Sequence, residues 1–181
     1  MSGALRVIDL HLMSEEEFLA LPETTERVEL IDGEVVMSPS PTPLHQLVSG
    51  RLFWHLEAWA RARRPMLVLS APVDLRLGLG RIVQPDIALW GSTFDVRHRP
   101  VTELPLLVVE ILSEDRQYDR MTKRLLYAAA GIPEYWIVDP EARFVEQLKG
   151  KGLHERAAFT DRIGSELLPG LDIDLSEVFD P

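Results

Sequence analysis

The stretch "IVQPDIALW", residues 82 to 90, has the apolar character of a strand, yet Pro85 and Asp86 interrupt it. Proline removes a ladder hydrogen bond, and an ionised carboxylate in an apolar sheet is costly unless something compensates it. A second interruption of this kind stands in "LLVVEIL", where Glu110 is the only charged residue from Leu104 to Leu112. Alternation puts Glu110 on one face with Leu106, Val108 and Leu112, and Leu107, Val109 and Ile111 on the other. In the earlier stretch Ile82, Gln84, Asp86, Ala88 and Trp90 share a face. If the two are neighbouring strands, their backbones lie about 5 Å apart, and both carboxylates can coordinate one cation. Bare carboxylates at that separation repel, so either one is protonated or a cation lies between them. Farther on, Asp119, Lys123 and Tyr127 are spaced i, i+4, i+8, with Met121, Leu125 and Ala129 on a different stripe. A lysine so placed reaches the pair from above the sheet, where it can position an attacking water or neutralise charge developing on a phosphate.

The elements that must hold these residues are legible. Ser14 with Glu17 three residues on is a capping-box pattern, which predicts a short helix. Alternating apolar residues flank Asp32-Gly33, a dipeptide suited to a type I′ turn, so residues 27 to 38 read as a hairpin. "PSPTP" breaks the chain before a long helix, in which Leu44, Leu47, Val48, Leu52, Leu56, Trp59 and Ala60 keep helical spacing. Three strand-like stretches follow, 66 to 77, 81 to 90 and 104 to 112; then come a helix ending at Gly131 and a buried strand at 133 to 139. From Glu141 onward the pattern is further strand and a short terminal element. The class is α/β or α+β: a mixed sheet covered by helices, in one domain spanning residues 1 to 181.

Composition narrows the chemistry. The chain has no cysteine, which excludes disulfides and thiolate metal sites, and leaves hard oxygen donors that favour magnesium or manganese over zinc. Nineteen basic against 29 acidic residues give a net charge of −10, which argues against a generic nucleic-acid coat but not against carboxylates that hold a divalent ion. No signal-peptide pattern and no long apolar run is present, so a cytoplasmic protein without membrane association is expected.

The segments "VELIDGEVVMSPSPTPLH", "VQPDIALW", "LLVVEILSED", "YDRMTKRLLYAAAGIPEYWIVDP" and "LPGLDIDL" together resemble the PD-(D/E)xK nuclease superfamily and, within it, the Uma2 family of restriction-endonuclease-like proteins. The resemblance spans nearly the whole chain. It implies a restriction-endonuclease-like fold with an N-terminal hairpin and a C-terminal strand extension, DNA as substrate, Mg2+ or Mn2+ as cofactor, and a homodimer. It makes Asp86 and Glu110 the metal ligands and Glu29 an additional acid at the metal. The superfamily's lysine would fall at residue 112, which is leucine here, and the resemblance implies that Lys123 has taken its role.

Each residue also has a plain structural reading. Asp86 can be a polar residue at a bulge or sheet edge, Glu110 a buried acid satisfied by arginine, and Glu29 an exposed cross-strand partner. His45 and His55 have the chemistry to bind phosphate or metal, but lone helical histidines are more often structural or exposed. Tyr135 and Trp136, on opposite faces, read as core or interface rather than as a base-stacking platform. Arg120 and Arg124 either contact phosphates or solvate their helix. Two further functions stay open: a nuclease-derived, dimeric binding module without catalysis, and a metal-dependent hydrolase of a small phosphoester.

Overall fold

The computed structural model describes residues 6–7, 12–22, 24, 26–112 and 118–180; of residues 6, 7, 118 and 119 it describes the backbone alone. After the two-residue strand β1 (Arg6–Val7), Ser14 caps helix α1 (Glu15–Leu19). The capping box is complete: Glu17 N–H donates to Ser14 Oγ at 3.2 Å, and Ser14 N–H donates to Glu17 Oε2 at 2.8 Å. Strands β2 (Arg27–Ile31) and β3 (Glu34–Ser38) form the expected hairpin. Asp32 and Gly33 have φ of 53° and 90°, both positive as a type I′ turn requires.

Helix α2 (Pro43–Arg61) starts at a cap the sequence pattern did not mark: His45 N–H donates to Thr42 Oγ1 at 3.2 Å, while Pro43 fills a position whose N–H has no helical partner. Val48, Leu52, Leu56, Trp59 and Ala60 are buried, at roughly 1.5–3 kcal/mol for each large side chain. Leu47, assigned to the same stripe, is 42% exposed instead.

Two expected strands are each divided. The 66–77 stretch becomes β4 (Leu67–Ser70) and β5 (Leu75–Gly78), and the 81–90 stretch becomes β6 (Arg81–Val83) and β7 (Ile87–Trp90). Both divisions contain a proline, Pro72 or Pro85, which cannot donate to a continuous ladder. At each division the chain passes between two sheets. The first has the order β1-β3-β2-β6-β5. The second runs β11-β10-β9-β8-β7-β4 and includes β8 (Leu107–Ile111), β9 (Glu134–Asp139), β10 (Phe144–Lys149) and β11 (Glu155–Phe159). Strands β8 and β9 are parallel and β7 and β8 antiparallel, so this sheet is mixed, as expected. Because Asp86 lies in the passage, the continuous face expected from Ile82 to Trp90 does not exist. Ile82 packs under the first sheet, and Ala88 and Trp90 under the second.

A π-helical turn (Tyr118–Lys123) and helix α3 (Arg124–Ala130) make the crossover from β8 to β9. Gly131 ends α3 in the left-handed region at φ 84°. Strands β12 (Arg162–Ser165) and β13 (Leu168–Asp174) and helix α4 (Leu175–Phe179) complete the chain. The second sheet is covered on both faces. Leu107, Val109, Ile111 and Trp136 pack with α2, β13 and α4; Val108, Leu112 and Tyr135 pack with Leu126 and Tyr127 of α3. The alternation expected along β8 holds, except that Leu106, just before it, joins the α2 side. Tyr135 and Trp136 are core on opposite faces, also as expected.

Candidate active site

Asp86 and Glu110 meet because of register. Ile87 pairs with Val109 in the antiparallel β7–β8 ladder, which sets the preceding Asp86 opposite Glu110. Asp86 is held on both sides: Ile111 N–H donates to its Oδ2 at 2.8 Å, and its carbonyl accepts Ala71 N–H at 2.9 Å. Glu29 reaches the same place from the first sheet. Its Oε1 accepts Gln84 N–H at 2.7 Å, at the start of the passage that contains Asp86. Glu29 is fully buried, so the reading as an exposed cross-strand partner is wrong.

Three buried carboxylates in one place require compensation, since each ion costs several kcal/mol to desolvate. Among the described residues two cations supply it. Lys123 Nζ lies 2.8 Å from Glu110 Oε1 and 3.1 Å from Glu29 Oε1, and the lysine is 1% exposed. Tyr127, one turn along, donates its hydroxyl to Glu110 Oε1 at 2.6 Å. Burial, then the charges of Glu110 and Glu29, push the tyrosine well above its ordinary value, so it stays a donor. The second cation is Arg27, whose Nη2 lies 2.7 Å from Asp86 Oδ1 and whose Nη1 lies 3.8 Å from Glu110 Oε2. The guanidinium therefore spans the pair. His45 Nε2 adds a contact of 3.3 Å to Asp86 Oδ2. Burial alone would raise the Asp86 carboxyl, but Arg27 and then His45 outweigh it and hold the group well below the usual carboxylate range.

Arg27 and His45 are the residues that sequence reasoning missed. Arg27 stands two positions before Glu29 on one strand, so both side chains leave the same face, and that spacing was the available signal. His45 was read as structural or exposed; it is buried, and its Nδ1 has no hydrogen-bond partner among the described residues. His55 instead pairs with Glu177 at 3.2 Å, away from the acids. Arg120 binds Glu146 at 2.8 Å, and Arg124 donates to the Leu153 carbonyl at 3.3 Å, so both serve the fold around α3. The side chain of Asp119 lies outside the described residues. Met121 and Leu125 are 58% and 67% exposed, so their stripe faces outward.

An open cavity of about 1120 Å³ leads to the acids, with Arg27, His45, Gln84 and Asp86 on its wall. Phe18, Val28, Met37, Phe53 and Phe94 give it an apolar side. Glu110, Glu29 and Lys123 are enclosed behind that wall.

The donor set suits a hard divalent cation: the oxygens of Asp86 and Glu110 come from facing strands, and a cationic group already lies between them. Among the described residues no group of three or more His, Asp or Glu side chains is placed to hold a metal ion, so the fit is that of two carboxylates alone. The residues thus fit an ion held by two carboxylates, provided that Arg27 gives way.

This fold, a mixed sheet with paired acids where two of its strands meet and a lysine on the following crossover, is that of a restriction-endonuclease-like protein. The chain belongs to the Uma2 family, described as "Putative restriction endonuclease", which it matches over residues 15–176. Its structure is similar to that of a "putative nuclease belonging to DUF820" from Anabaena variabilis, with a TM-score of 0.77 and 20% identity, over 92% of this chain and 97% of that one. No curated protein matches the chain. No helix among the described residues is long and apolar enough to cross a membrane.

Proposed function

We propose that this protein is a Mg2+- or Mn2+-dependent endonuclease that hydrolyses phosphodiester bonds in DNA, working as a homodimer. The observation that carries the reading is the meeting of Asp86 and Glu110 across the β7–β8 register, in a chain of a family described as "Putative restriction endonuclease". Asp86 and Glu110 would hold the ion, with Glu29 as an additional acid beside it. When bound, the ion would polarise the scissile phosphate and lower the pKa of a coordinated water. Lys123 would act through the two glutamates it binds, holding them in place. That role is narrower than contacting the attacking water, because the ammonium is enclosed behind Glu110. The phosphate would approach from the cavity, whose wall carries the cationic side chains of Arg27 and Arg99 together with His45 and His98.

Supercoiled plasmid incubated with Mg2+ or Mn2+ tests the reading. Wild type should nick it; chelator and the variants Asp86→Asn, Glu110→Gln and Lys123→Ala should abolish nicking. Equal nicking by all four proteins would expose a contaminant and remove the reading. A second reading, a dimeric nuclease-fold binding module without catalysis, is favoured by the net charge of −10, since DNA-scanning proteins present a basic footprint. It predicts no metal-dependent nicking by any of the four. Turnover of small phosphoesters without any effect on DNA would instead point to a hydrolase of such esters.

A further inference from the structure

The two cations at the acid centre are held differently. Lys123 is enclosed between Glu110 and Glu29, whereas the Arg27 side chain keeps 20% of its surface and lines the cavity. The Arg27 guanidinium also spans Asp86 Oδ1 and Glu110 Oε2, oxygens of the two carboxylates assigned to the ion. We propose that Arg27 is a built-in competitor for the divalent ion, and that its withdrawal into the cavity is the condition for Asp86 and Glu110 to hold the ion together. The inference deepens the metal-dependent reading and rests on it.

Charge balance supports an exchange over an addition. Leaving His45 aside and counting the described residues, the carboxylates of Glu29, Asp86 and Glu110 against Arg27 and Lys123 leave the cluster one unit negative. A divalent ion added beside Arg27 would make it one unit positive. A divalent ion in exchange for Arg27 brings it to zero, which suits a site where uncompensated charge is costly. At equal distance the divalent ion also attracts each carboxylate twice as strongly as a guanidinium does. Release is sterically open to Arg27, on a flexible stem that already borders the cavity, and closed to Lys123. Arg27 therefore sets how tightly the protein binds its ion.

Mn2+ binding, followed by the EPR signal of the free ion at neutral pH and constant ionic strength, tests this without reference to catalysis. Arg27→Gln should bind Mn2+ about tenfold or more tightly than wild type, a difference of about 1.4 kcal/mol. Arg27→Lys keeps the charge but cannot span both carboxylates, and should fall between them. Asp86→Asn should lose the site. Equal or weaker binding by both Arg27 variants, with Asp86→Asn still abolishing it, overturns the competition and leaves the metal-dependent reading standing. Mn2+ binding that survives Asp86→Asn, or no binding by wild type and both Arg27 variants, overturns the competition and the assigned ion site together. Should Arg27→Gln fail to fold, Arg27→Lys decides by the same comparison with wild type.

Discussion

Two buried glutamates in the same sheet, Glu110 on β8 and Glu134 on the adjoining β9, have opposite surroundings. Glu134 is met by neutral donors: Trp136 Nε1 at 2.6 Å, Gln147 Nε2 at 2.8 Å and Ser165 Oγ at 2.6 Å. Glu110 is met by two cationic side chains and a tyrosine, beside two further carboxylates and behind the wall of a cavity. Burial of an acid is therefore not in itself a sign of function. Neutral donors on both oxygens knit β9 to β10 and β12. Glu110 is instead balanced by one enclosed cation and by one that borders the cavity, the arrangement on which the proposed exchange of Arg27 for a divalent ion rests.

That contrast can be broken in several ways. The largest expected effect is on catalysis. Asp86→Asn or Glu110→Gln should lower the nicking rate by more than the roughly 10–100-fold typical of groups behind a metal's ligands, and Glu134→Gln should leave it at the wild-type level. Equal losses in all three would erase the distinction. Next is Lys123→Met, which leaves Glu110 and Glu29 without their enclosed cation. Urea denaturation should show a loss of about 3–5 kcal/mol, as for other broken buried pairs, and a loss below about 1 kcal/mol would mean that Lys123 is not the compensating charge.

The acid centre should also show in the pH dependence of stability. The Asp86 carboxyl sits below its ordinary value of 3.8 in the folded chain, so its contribution is complete above that value and drains away as pH falls further. Urea midpoints measured downward from pH 5 should therefore fall less steeply for Asp86→Asn than for wild type. Parallel curves would show that Arg27 and His45 do not hold the carboxylate ionised. The smallest effect belongs to the neutral network: Glu134→Gln should cost about 1–3 kcal/mol, because its new amide faces donors, and should leave Mn2+ affinity unchanged. A shift in Mn2+ affinity there would tie the two regions together.

Much of the frame was legible because it is local. The Ser14 box, the Asp32-Gly33 turn and the Gly131 stop depend on side chains within a few residues and on which residues tolerate positive φ. Both crossings contain a proline, but in the sequence Pro85 reads as an interruption within a single strand, and the 66–77 stretch reads as one strand despite Pro72. A missing N–H says where a ladder ends, and not which sheet the chain joins next.

Sequence alone determined that Asp86 and Glu110 were anomalous, since no apolar strand tolerates an uncompensated charge and alternation assigns Glu110 its face. It also placed Lys123 and Tyr127 one turn apart, and both bind the same oxygen of Glu110. Only the tertiary structure decided how that charge is balanced. Arg27 is 59 positions from Asp86 and comes from the other sheet, and His45 comes from a helix between them in sequence. Coulombic compensation depends on distances in space, and those are set by how the two sheets and α2 pack, a matter that no local spacing encodes.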